Sequence, residues 1–231
     1  MSDLLSPLEA EALILSLRVA LWCVVISLPI GIGTAWLLAR KRFPGHLLLS
    51  AVVYAPLVVP PVVVGYLLLV LLGRRGVVGA WLYEAFGITV VFTWQGAAIA
   101  SAIMGFPLMV RAIRLSLDAV DRRLEDAART LGAGRWRVWL SITLPLTAPG
   151  ILAGAVLAFA RSLGEFGATI TFVSNIPGET RTLPLALYSV LQQPGGDAPA
   201  MRLAILSLLL AIVAIAASEL LARRMRKQLG V

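Results

Sequence analysis

Five runs of apolar residues dominate this chain, and each has the length of a bilayer crossing. Val19 to Leu38, Leu47 to Leu72, Val90 to Val110, Ile142 to Ala160 and Leu203 to Leu221 come near or exceed the roughly 20 residues that a helix needs to cross about 30 Å of hydrocarbon. In lipid every backbone donor and acceptor has to be satisfied within the protein, so runs of this length predict helices. Composition agrees, with 59% hydrophobic residues, 14% charged residues and a mean hydropathy of +0.91, where a soluble domain carries about 25% charge. The expected fold is all-α and polytopic, one transmembrane domain over residues 1–231 with about five spans. The stretch from Arg161 to Tyr188 is too polar for a sixth span and is expected to hold at most a short or re-entrant helix.

Charge placement orients these spans, because Lys and Arg collect on cytoplasmic loops. With five spans, one side receives Arg40, Lys41 and Arg42, then Arg111, Arg114, Arg122, Arg123, Arg129, Arg135 and Arg137, then Arg223, Arg224, Arg226 and Lys227. Those are 14 of the 20 basic residues. The other side holds Arg18, Arg74, Arg75, Arg161, Arg181 and Arg202, beside the acidic Asp3, Glu9 and Glu11. The expected N-terminus is therefore outside, the C-terminus cytoplasmic, and the loop of about residues 116–142 the largest cytoplasmic segment. The acidic start, MSDLLSPLEAEA, does not resemble a cleavable signal peptide, so the first span is expected to be retained. A net charge of +8 is explained by this insertion bias, and no nucleic-acid partner is expected. The partner of the spans is membrane lipid.

Within the loop, Leu124, Ala127, Ala128 and Leu131 recur at helical spacing on one face. Arg122, Arg123, Glu125, Asp126 and Arg129 occupy the rest of the surface. Two alanines allow another backbone to approach closely, and Gly132 stands where a helix C-terminus takes a glycine. A second short helix, roughly Arg135 to Ser141, brings Trp136 and Trp139 to interfacial depth. Leu144-Pro145 then opens the next span, a first-turn position where proline forfeits no hydrogen bond. On periodicity alone this is either a docking helix or an amphipathic helix resting on the bilayer.

The spacing Asp126-Ala127-Ala128, Gly132, Ile142, Leu144-Pro145 resembles the signature loop of ABC-importer permeases, with every interval kept. The departure is Asp126 where that family has glutamate, and Glu125 stands just before it. The stretches RTLGAGRWRV, ITLPLT, LAFARSLGEFGATITFVSNIPGETRT and PLVVPPVVVGYLLLV extend the similarity over nearly the whole chain, toward the molybdate branch of the family. Sulfate/thiosulfate and tungstate permeases are close enough relatives to remain open as alternatives. The resemblance implies a type I importer permease, in which Glu125, Asp126, Ala127, Ala128, Gly132, Leu144 and Pro145 belong to a coupling helix seated in a groove of an ATPase subunit. It also implies an extracytoplasmic molybdate-binding protein and a bacterial inner (plasma) membrane location.

The chain has no G-x-x-x-x-G-K-[ST] loop, so it is expected to be a non-catalytic subunit that binds no cofactor, with ATP and Mg on separate ATPase subunits. The candidate pathway follows the fourth span, where Arg161, Glu165, Gly167, Thr169 and Thr171 fall. Charges at membrane depth are functional candidates. Arg161 and Glu165, four residues apart, either pair with each other or contact an oxyanion. Glycines there permit irregular backbone around a cavity, and the threonines offer hydroxyl donors. Pro56, Pro60 and Pro61 are expected to kink the second span, while Gly31-x-Gly33 and Gly150-x-x-x-Gly154 suit close helix packing. Five helices enclose little room for a solvated oxyanion, so a homodimer with the pore at its two-fold interface is expected.

Two other classes are disfavoured. An intramembrane enzyme needs a nucleophile with its base or a metal cluster, and the chain has one histidine, His46, and one cysteine, Cys23. A self-sufficient channel or secondary transporter often shows internal repeats and charges deep in several spans, and neither is present. No metal site is expected.

Overall fold

The computed structural model describes residues 6–229, and among them every side chain except Ser218 and 221–229. Asp3 and the side chains of Arg223, Arg224, Arg226 and Lys227, which entered the charge count above, lie outside the described residues.

The described residues form helices and connecting turns. The first, α1 (Pro7–Arg40), begins twelve residues ahead of the predicted span. Its start is fixed locally. Ser6 accepts from the Glu9 amide at 3.3 Å, Glu9 accepts from the Ser6 amide at 2.7 Å, and Pro7 occupies the first turn. This reciprocal cap satisfies two backbone donors that the first turn leaves open. At about 1.5 Å per residue, α1 is far longer than the bilayer core is thick, so one part of it extends beyond the hydrocarbon.

The second apolar run departs from expectation. The prolines do more than kink it: the run is broken into two helices bent by 114°, α2 (His46–Tyr54), prolonged by a 3₁₀ turn over Ala55–Leu57, and α3 (Pro61–Leu72). Three prolines explain the break. Pro60 precedes Pro61, and a residue before proline is pushed out of the helical region; Pro60 has φ −54° and ψ 135°. A short helix, α4 (Val77–Phe86), follows.

α5 (Trp94–Ala119) is the axis of the fold. Thr93 caps it by accepting from the Gly96 amide at 3.2 Å, and Ala97, Ala98, Ala100, Met109, Val110 and Ile113 along it are fully buried. Next come α6 (Arg122–Thr130), α7 (Arg135–Val138), a π-turn over Trp139–Thr143 and α8 (Leu144–Leu163). Then follow α9 (Gly167–Val173), α10 (Leu183–Leu191) and α11 (Asp197–Leu229). As anticipated, the segment after the fourth span holds short helices only.

Without a hydrophobic drive between helices in lipid, close contact depends on small residues. A methyl group on Gly105 would lie 3.2 Å from Ala158 of α8, and one on Gly154 would lie 2.9 Å from the Met109 carbonyl. Gly31 likewise admits Met109 from α5. Gly33, expected to be a packing site, is instead exposed, with open space where its side chain would be. Two apolar clusters lie on either end of α5. One joins Leu15, Val64, Met104 and Phe172, and the other joins Leu38, Val53, Ile113 and Ala158.

Candidate functional site

The loop between α5 and α8 folds as a capped helix with a hard stop. Asp121 caps its start, accepting from the Arg123 amide at 2.9 Å. At its end Gly132 has φ +86°, its amide donates to the Arg129 carbonyl at 2.9 Å, and the Ala133 amide donates to the Ala128 carbonyl at 3.0 Å. These two bonds are the Schellman closure that a left-handed glycine makes possible. The glycine is therefore required by backbone conformation, as its spacing predicted.

The two acidic residues part ways. Asp126 is exposed and pairs with Arg129 at 3.0 Å. Glu125 is buried, 8% exposed. Its carboxylate receives Arg40 of α1 at 3.0 Å and the Thr143 hydroxyl of the π-turn at 2.8 Å, with Arg129 at 3.8 Å. Glu125 thus points into this chain and ties the loop helix to two spans. Leu124, Ala127 and Leu131 face outward, with Leu131 88% exposed, and Ala128 is half-buried. Leu124, Ala127 and Leu131 thus form an exposed apolar row on a charged helix.

Leu144 and Pro145 fall in the first turn of α8, as expected, but the backbone before them is already helical. The helix does not restart at Pro145, since Arg135–Leu163 runs as one rod. Proline within a helix removes a donor and clashes with the carbonyl four residues before it. The π-turn over Trp139–Thr143 widens the helix just ahead of Pro145, and such bulges are frequent at functional positions. Trp136 and Trp139 meet edge to face at 6.3 Å, and Trp136 is largely exposed. Glu125 thus braces α6 against both α1 and the helix that follows the turn at 131–134.

At the other end of the rod, Arg161 and Glu165 form an ion pair at 2.7 Å. Glu165 is 2% exposed, and its second oxygen accepts from the Ala168 amide at 2.8 Å. The carboxylate therefore caps α9 while neutralising Arg161. The Thr169 hydroxyl donates to the Phe166 carbonyl, and the Thr171 hydroxyl to the Gly167 carbonyl, each at 2.9 Å. Thr169 is buried and Thr171 half-buried. Gly167 seats α9 against Pro61, and a methyl on Gly65 would fall 2.5 Å from the Ala168 carbonyl. Four of the five candidate pathway residues thus support the short helix α9 and its contact with the broken second span.

Sequence reasoning overlooked the brace after α9. Arg181 donates to Asn175 at 2.9 Å, and Asn175 donates to Ser189 at 2.5 Å. The signal was present in the Pro-Gly pair within NIPGE, which marks a turn; Gly178 has φ +78°. No group of three or more metal-ligating side chains occurs among the described residues.

Residues 27–227 match the family described as binding-protein-dependent transport system inner membrane component. The chain belongs to that family. It is 63% identical over 222 residues to the molybdenum transport system permease protein ModB of Escherichia coli strain K12, covering 96% of this chain and 97% of that one. The protein of the same name from Haemophilus influenzae is 56% identical over 223 residues, covering 96% of this chain and 97% of that one. A sulfate transport system permease protein, CysT of Escherichia coli K12, is 40% identical over 183 residues, covering 78% of this chain and 66% of that one. Among solved structures, a chain of a bacterial alginate ABC transporter shares the fold with a TM-score of 0.76 at 20% identity, over 96% of this chain and 81% of that one. This family member is thus a helical, multi-pass membrane permease, and the fold is that of an ABC importer permease.

Proposed function

We propose that this chain is the membrane-spanning permease subunit of an ATP-driven molybdate importer. The carrying observation is the 63% identity, across nearly the full length of both chains, to a molybdenum transport permease. The match to the sulfate permease is weaker and shorter. In this reading the N-terminus is outside, the loop faces the cytoplasm, and the membrane is the inner membrane of a bacterium.

The chain itself does not hydrolyse ATP. ATP and Mg belong to a separate ATPase subunit, whose groove takes the outward face of α6 with Leu124, Ala127, Leu131 and Asp126. Nucleotide-driven closure of the ATPase moves α6. Because Gly132 locks its end and Glu125 fixes it to α1 and the π-turn, the motion passes to the rod carrying Pro145 rather than dissipating in the loop. At the rod's far end the Arg161–Glu165 pair and α9 move against α3. Coupling requires an element with two arrangements that both sites bias, and the α3–α9 contact is the proposed one, closed and open toward the outside. Arg161 and Thr171 line its approach. Two copies build the pore at their interface, each meeting one ATPase, and an extracytoplasmic molybdate-binding protein delivers cargo.

The test is uptake. Proteoliposomes holding this chain with its ATPase and binding protein should accumulate labelled molybdate when ATP is supplied. Equal accumulation of sulfate would withdraw the molybdate assignment while leaving an importer.

A further inference from the structure

Two neighbouring clefts lie at the end of α1, and Lys41 lines both. The first, about 770 Å³, has apolar and aromatic walls from Pro29, Ile32, Trp36 and Trp139, opening beside Gly33. The second, about 790 Å³, lies between the α1–α2 turn, the end of α5 and the start of α6, and is lined by Arg40, Lys41, Arg42, Arg114, Arg122 and His46 with no carboxylate. Part of the charge around the two clefts is already matched. Glu125 holds Arg40 at 3.0 Å, Asp126 holds Arg129 at 3.0 Å, and Asp118 holds Arg114 at 3.7 Å. Lys41, Arg42, Arg122 and Arg135 have no ion-pair partner among the described residues, and all four are exposed. Lys41 sits over the Trp36 ring at 5.7 Å.

We propose that these two clefts, linked by Lys41, bind one anionic phospholipid, its phosphate at Lys41 among Arg42, Arg122 and Arg135 and one acyl chain along the Trp36–Trp139 groove. The chemistry is complementary at both ends. A phosphate monoanion meets unmatched cations beside interfacial tryptophans, the setting in which basic pockets between membrane helices take lipid headgroups. The hydrocarbon end is specific to a lipid, because a free phosphate has nothing to place against Ile32, Trp36 and Trp139. Gly33 keeps that groove open, since any side chain there would project into it. The site adjoins Glu125 and the π-turn, so a bound lipid would stiffen the brace between loop and rod. The inference rests only on the chain spanning a membrane and is independent of the cargo.

Native mass spectrometry of the purified full chain, offered equal amounts of phosphatidylglycerol and phosphatidylcholine, tests it. The wild type should retain one phosphatidylglycerol with at least tenfold preference. Lys41→Gln with Arg135→Gln should bring that preference near parity, whereas Arg74→Gln with Arg75→Gln, the same charge change away from the clefts, should leave it intact. Gly33→Leu should lower retention of both lipids severalfold. Lys41→Arg should keep the preference, which separates loss of charge from loss of fold. Equal retention of the two lipids by the wild type, unchanged preference in the double variant, or displacement of the lipid by inorganic phosphate would each overturn the proposal. So would loss of the lipid on assembly with a second copy or with the ATPase, because the clefts would then be a partner's seat.

Discussion

The guanidinium of Arg40 lies 3.0 Å from the carboxylate of Glu125, a contact across 85 residues of sequence. Both side chains are about nine-tenths buried, so the pair joins the end of the first span to the loop helix where water screens it little. Removing one partner of such a pair strands the other charge. Arg40→Ala should destabilise the chain by about 3 kcal/mol, seen as a lower melting temperature in detergent. Glu125→Gln keeps an acceptor for Thr143 and should cost less, and Thr143→Val about 1 kcal/mol. A melting temperature unmoved by Arg40→Ala would mean that the brace contributes nothing.

Gly132 offers a backbone test. Open space surrounds it, so substitution acts through its φ of +86° alone. Gly132→Ala should cost about 1 kcal/mol, and Gly132→Asn less, because asparagine tolerates the left-handed region. Hydrogen exchange at the Ala133 amide, which closes the helix, reads this directly; equal exchange in the two variants would contradict it.

The contrast between Gly65 and Gly33 tests the packing. A methyl at Gly65 meets Ala168 and Thr171 of α9 at 2.5–2.9 Å, and one at Gly33 meets nothing within 4 Å. Gly65→Ala should destabilise by about 2 kcal/mol through overpacking, while Gly33→Ala should be neutral or slightly stabilising, since alanine is the better helix former. If Gly65 marks the moving contact, uptake should also fall in Gly65→Ala at matched protein level.

These contrasts also show what the sequence could carry. The loop glycine and its cap, the close packing at Gly31, Gly150 and Gly154 though not at Gly33, and the short helices after the fourth span were legible, because each depends on local spacing. The 114° break was not. Three prolines announce a disruption but not its angle, and the α9 contact with α3 at Gly65 joins segments far apart in sequence. The inward turn of Glu125 was hidden for the same reason. On the helix alone Glu125 and Asp126 are equivalent charges, and only Arg40, brought from another element, separates them. Pro145 read as a helix start because a π-turn, which accommodates it inside a continuous rod, leaves no pattern in hydropathy.

The Arg161–Glu165 pair is assigned a structural role that a double-mutant cycle can isolate. Arg161→Met strands Glu165, which is 2% exposed, and should reduce the yield of folded protein. Glu165→Gln added to it should recover much of that yield, with a coupling of about 1–3 kcal/mol. Recovery of yield without recovery of uptake would assign Arg161 to cargo.

The central claim is that ATP-driven motion enters through the Gly132-terminated helix and moves molybdate. Uptake of labelled molybdate into proteoliposomes of the assembled complex, in wild type and in Gly132→Pro, tests it most directly. Proline removes the 2.9 Å bond from residue 132 to the Arg129 carbonyl and is confined to φ near −65°. The account predicts uptake that requires ATP and is lost in the variant while the complex still assembles. Uptake that proceeds without ATP, or that survives Gly132→Pro unchanged, would contradict it.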